Sequence, residues 1–106
     1  MKDLANSNEL ILLYELYWKL LTTKQIKYFE LYFFDDYSLS EIAGLKNVSR
    51  NAVYDSLVKI TNALHKFENN LKLGYKQHQR DIIYQEFKNI KECAGLIKKL
   101  KKIDSD

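Results

Sequence analysis

Apolar residues recur along this chain at spacings of three and four, and a few short polar clusters break the pattern into helices. Leu10, Leu13, Tyr14, Tyr17 and Leu21 form the stripe of a first helix, preceded by Ser7 or Asn8. Thr22 opens a second helix with Gln25 three residues on. At that spacing each side chain accepts from the other residue's backbone N–H. The second stripe is Ile26, Phe29, Leu31 and Phe33, with Tyr28 and Tyr32 beside it. Asp35-Asp36 interrupts it, and Ser38 with Glu41 repeats the capping spacing ahead of a short helix through Leu39, Ile42, Ala43 and Leu45. Asn47 tolerates a left-handed backbone and marks a tight turn, after which Ser49 caps the next helix.

That fourth helix is the most regular feature. Val53, Leu57, Ile60, Leu64, Phe67 and Leu71 alternate spacings of four and three, a stripe three heptads long, and Gly74 is placed to end it. A last helix carries Ile83, Phe87, Ile90, Ala94 and Ile97 at similar spacing and ends in Lys98-Lys99 and Lys101-Lys102, with a fraying tail from Ile103. Two such stripes need a partner surface, either each other in an antiparallel hairpin or a second subunit.

Composition narrows the class. Three glycines and no proline in 106 residues leave too few turn formers for a sheet protein. The lone Cys93 has no internal disulfide partner, sits near the last apolar stripe and is expected to be buried and inert. Two histidines with it do not make a zinc site, so no metal or cofactor is expected. His65 and His78 lie 13 residues apart with no acid at triad spacing, and no glycine-rich phosphate loop exists, so the chain does not read as an enzyme. Glu15 and Lys19 interrupt the longest apolar stretch, Leu10 to Leu21, which argues against a signal segment or membrane insertion, while the unpaired cysteine points to a cytoplasmic protein. Charge is uneven: residues 1–48 are net −2 and residues 49–106 net +5.

The segment from Leu39 to Ile60 has the layout of a DNA-binding helix-turn-helix. Ala43 is small where the second helix crosses, Ile42, Val48 and Val53 are expected to fill the wedge, and Asn47 takes the turn. Lys46 stands where an apolar residue is usual, with Leu45 displaced by one. The outward residues of the recognition helix are then Arg50, Asn51, Tyr54, Asp55 and Lys59. Arginine can read guanine and asparagine adenine, while Ser49 and Lys59 can meet phosphates. Asp55 on the same face, and Asp35-Asp36 before it, weigh against tight binding by a single copy. Two helices of an ordinary core share this pattern. The aromatic cluster from Tyr14 to Tyr37 reads as core rather than a base-stacking surface, and the C-terminal lysines as a solvated face.

Specific strings go further. Leu21-Thr22, Lys24-Gln25, Tyr28, Glu30-Leu31-Tyr32-Phe33, Asp35-Asp36-Tyr37-Ser38-Leu39, Glu41-Ile42-Ala43, Val48-Ser49-Arg50 and Ala52-Val53-Tyr54-Asp55 resemble the small bacterial YlxM family, over residues 8–72. The core of that family is similar to region 4 of sigma-70-type factors. Asn47 stands where the family usually has glycine. The resemblance implies an all-α fold: a sigma-region-4-like helix-turn-helix head at 8–60 followed by two long C-terminal helices over 49–102, overlapping at the recognition helix, in one domain of residues 1–106. Because the family is encoded beside signal recognition particle genes, the resemblance also implies a regulatory role in protein targeting. The expected partners are duplex DNA, or the particle's RNA or protein, and a second copy joined through the C-terminal helices.

Overall fold

Side chains that satisfy the unpaired amides of a first turn set three of the helix starts in this protein. The computed structural model describes Leu4 and residues 6–105. Helix α1 (Ser7–Tyr17) starts after Asn6 without a side-chain cap and runs into a 3-10 turn, Trp18–Leu20. Thr22 caps α2 (Thr23–Phe33): its hydroxyl accepts from the Gln25 amide at 3.1 Å, and Gln25 Oε1 accepts from the Thr22 amide at 2.9 Å. Ser38 and Glu41 repeat this at α3 (Leu39–Lys46), at 3.0 and 2.9 Å. Ser49 caps α4 (Arg50–Leu71), accepting from the Ala52 amide at 3.0 Å. Helices α5 (Leu73–Phe87) and α6 (Lys91–Asp104) complete an all-helical chain, with no strand among the described residues. No helix there is long and apolar enough to cross a membrane.

The chain divides into two units, Met1–Lys72 and Leu73–Asp106. In the first, α4 is the spine against which α1, α2 and α3 all pack. Val53, Leu57, Ile60 and Leu64 are almost wholly buried. Gross transfer energy for four such side chains is on the order of 10 kcal/mol. Leu10, Leu13, Tyr14 and Tyr17 of α1, Tyr28, Phe29 and Leu31 of α2, and Leu39, Ile42 and Ala43 of α3 close around that stripe. The aromatic residues are mostly core, as their spacing predicts. The Tyr14 and Phe29 rings stack at 4.2 Å, and Phe29 and Phe33 at 4.4 Å. Two of the buried tyrosines bridge helices through their hydroxyls: Tyr14 Oη donates to Glu30 at 3.0 Å and Tyr17 Oη to Glu68 at 2.6 Å, the latter pinning α1 to α4.

Several sequence expectations change here. Val48 does not fill the wedge between α3 and α4. It is 41% exposed, because the left-handed residue before it turns the chain outward. Leu45 also points to solvent while Lys46 is half-buried, so the lysine stem occupies the position where an apolar residue was expected. The α4 stripe leaves the core in its last turns, with Phe67 half-buried and Leu71 exposed. The left-handed residue that ends α4 is Lys72 (φ 57°, ψ 31°), whose amide donates to Glu68 O at 2.8 Å; Gly74 lies inside α5.

The expected last helix is two helices. Chain direction breaks at Lys88–Ile90, where the Ile90 amide donates to Phe87 O at 3.1 Å and the Cys93 amide to Ile90 O at 2.9 Å. Ile83 and Phe87 therefore belong to α5, and Ala94 and Ile97 to α6. Inside this second unit Arg80 Nε lies 2.9 Å from Asp104 Oδ2, and the Lys101 ammonium sits over the Tyr84 ring at 5.5 Å. Tyr84 is the one buried apolar residue among the described residues of this unit. Cys93 is half-buried rather than enclosed.

Candidate nucleic-acid interface

Three local devices aim the start of α4 at solvent. The Ser38–Glu41 reciprocal cap fixes where α3 begins, and the Ser38 backbone amide first, then its hydroxyl, hold the exposed Glu41 carboxyl below its ordinary value. Asn47 adopts φ 56°, ψ 47°, and the amides of Asn47 and Val48 both donate to the Ala43 carbonyl, closing α3. Two residues on, Ser49 is extended (φ −75°, ψ 157°), and its oxygen takes up the Ala52 amide. α3 then lies against α4 through Ile42 and Val53, both wholly buried, with the small Ala43 at the crossing.

The sequence-predicted residues fall on two neighbouring rows of α4. Arg50 and Tyr54 make one, and Asn51, Asp55 and Lys59 the other, each four residues apart. Arg50 and Asn51 are exposed in the first turn, and Ser49 is exposed just before them. No carboxylate lies within ion-pair distance of Arg50 among the described residues. Tyr54 is half-buried and packs against the core, so its ring helps fix the helix. Asp55 is exposed between Asn51 and Lys59 on their row. Lys59, at the far end of that row, lies on the side of α4 away from Arg50, toward the first turn of α2, and lines a groove with Lys24, Gln25, Tyr28, Ser56 and Ile60. Lys24 escapes the sequence reading because it lies 35 residues from Lys59; only the packing of α2 on α4 brings them to one groove.

Elsewhere the polar residues have structural employment. His65 Nδ1 approaches Glu9 at 3.9 Å. Among the described residues no three His, Cys, Asp or Glu side chains gather as a metal could require. An exposed arginine and asparagine on a capped helix end can hydrogen-bond base edges or phosphates, and the half-buried tyrosine stiffens their support.

The family model described as helix-turn-helix protein, YlxM / p13 like (UPF0122) matches residues 4–103. The chain is similar to a UPF0122 protein of Ureaplasma urealyticum serovar 10, with 45% identity over 94 residues that cover 89% of this chain and 91% of that one. A UPF0122 protein of Malacoplasma penetrans is 46% identical over 89 residues, 84% of this chain and 82% of its own. One from Listeria welshimeri is 42% identical over 80 residues, covering 76% and 73%.

Proposed function

The chain belongs to the YlxM / p13-like helix-turn-helix family, UPF0122, and from that premise we propose that it is a cytoplasmic regulatory protein of the signal recognition particle pathway that binds duplex DNA through α4. The observation that carries this reading is the first turn of α4, where Ser49, Arg50 and Asn51 are exposed together on a capped, well-packed helix and Arg50 has no acidic partner among the described residues. Arg50 and Asn51 would face base edges, Tyr54 would support them at the groove wall, and Ser49 and Lys59 would meet phosphates. Two copies joined through the C-terminal helices would present two such helices to successive major-groove turns. The place in protein targeting rests on the resemblance to YlxM proteins.

Titration of a labelled duplex pool against the protein over about 50–200 mM salt tests the reading. Binding is expected to weaken steeply with salt and to weaken further in Arg50→Ala. Salt-insensitive binding overturns it, and an Arg50→Ala variant that binds every duplex as the parent does overturns base reading by the first turn of α4. One observation favours a second reading: Asp55 sits between Asn51 and Lys59 and would face the same phosphates. In that reading the protein is an adaptor that contacts the particle's RNA or protein without binding DNA. Presenting that RNA and that protein separately to the immobilised chain distinguishes the two.

A further inference from the structure

We propose that the groove between the first turn of α2 and the middle of α4 is a seat for the sugar–phosphate backbone of duplex DNA, formed by Lys24 and Lys59. The inference rests on the reading that duplex DNA lies along α4. The groove has a volume of about 210 Å³. Buried Tyr28 and Ile60 form its apolar floor, and Lys24, Lys59 and the Ser56 hydroxyl its polar rim. No carboxylate lines it, and neither lysine has an acidic partner within ion-pair distance among the described residues. The Lys24 ammonium lies over the Tyr28 ring at 5.7 Å, which holds the lysine at the groove wall.

Two ammonium groups on one groove repel each other unless an anion lies between them, and a hydroxyl beside them is a further donor suited to phosphate oxygens. Position in the fold selects which phosphate. Lys59 is nine residues beyond Arg50, about 14 Å along the helix axis. The major groove is about 12 Å wide, so a residue that far from the base-reading end, on the flank of the helix, reaches the bounding strand instead of the bases. Three-helix domains of this general type make backbone contacts from the segment entering an earlier helix and from the later part of the recognition helix. The start of α2 and Lys59 occupy those two places. A backbone seat carries no sequence preference; it fixes register and adds salt dependence.

The test measures the affinity of the full chain for a labelled random-sequence duplex two helical turns long, over about 50–200 mM salt. Parent, Lys24→Gln, Lys59→Gln, the double variant, Arg50→Ala and the charge-keeping Lys24→Arg/Lys59→Arg pair are compared. Each glutamine variant is expected to lower the log–log salt slope by about one, the double by about two, and the arginine pair to keep the parent slope, with thermal midpoints unchanged because both lysines are exposed. Parent slopes in both glutamine variants alongside weakened Arg50→Ala overturn the seat and leave the recognition-helix reading standing. Reduced slopes with a parent-like Arg50→Ala support the seat and overturn base reading. Failure of the parent to bind any duplex overturns both.

Discussion

Arg50 and Val53 are three positions apart on α4, yet they serve different ends. Arg50 is exposed at the helix start and Val53 is wholly buried against α3. Arg50→Ala is expected to cost about 1–3 kcal/mol of duplex affinity without moving the thermal midpoint. Val53→Ala is expected to lower stability by about 1–3 kcal/mol and to lose binding only through unfolding. Affinity measured beside thermal melts on both variants separates the two roles; a lowered midpoint in Arg50→Ala would contradict this division. Thr61 provides a third case. Its Oγ1 is buried with no hydrogen-bond partner among the described residues. Thr61→Val keeps the shape and removes the unpaired hydroxyl, so stability in urea is expected to rise by about 1 kcal/mol. The Val53 and Leu57 stripe was legible because burial follows spacing on one helix. Val48 was not, since its exposure depends on the direction the chain takes out of Asn47.

At the scale of elements, the caps were the most legible features. Thr22 with Gln25, Ser38 with Glu41, and Ser49 each use a partner within three residues, so sequence alone holds the whole interaction. Breaks decided by competition between neighbouring helices were less visible. Gly74 looked like the end of α4, but Lys72 takes the left-handed turn and α5 starts at once. Contacts between elements were invisible, among them Tyr14 of α1 with Glu30 of α2. Burial first, and then the hydrogen bond to Glu30 and its charge, push the Tyr14 phenol from 10.0 to about 12. The fold thus favours the neutral phenol. Its contribution is complete below pH 10, where the unfolded chain also keeps the proton, and is lost as pH rises from 10 toward 12. Urea melts across that window should show a stability loss that is smaller in Tyr14→Phe than in the parent. An equal loss in both would assign the alkaline sensitivity to other groups.

At the scale of the whole molecule, the buried apolar residues among those described lie in the first unit, Tyr84 excepted. Residues 73–106 bury one apolar side chain, Tyr84, among those described, and they fall below the roughly 40 residues at which a unit usually needs a partner. Ile82, Ile83 and Phe87 on α5 and Leu96, Leu100 and Ile103 on α6 are all exposed. The Arg80–Asp104 pair joins the two helices, but exposed ion pairs of this kind contribute little. Apolar surface of that extent on a short helical pair is the usual mark of an interface. The heptad spacing had suggested the same need for a partner, even though the stripe it traced runs across the break at Lys88–Ile90. We expect a homodimer through α5 and α6, with sedimentation at tens of micromolar giving twice the mass of one chain. Phe87→Asp puts a charge into that surface and should return the protein to single-chain mass while the head keeps its helix content, since Phe87 lies outside the unit that ends at Lys72. A parent that sediments as one chain at that concentration overturns the dimer, and with it the pairing of two recognition helices on one duplex.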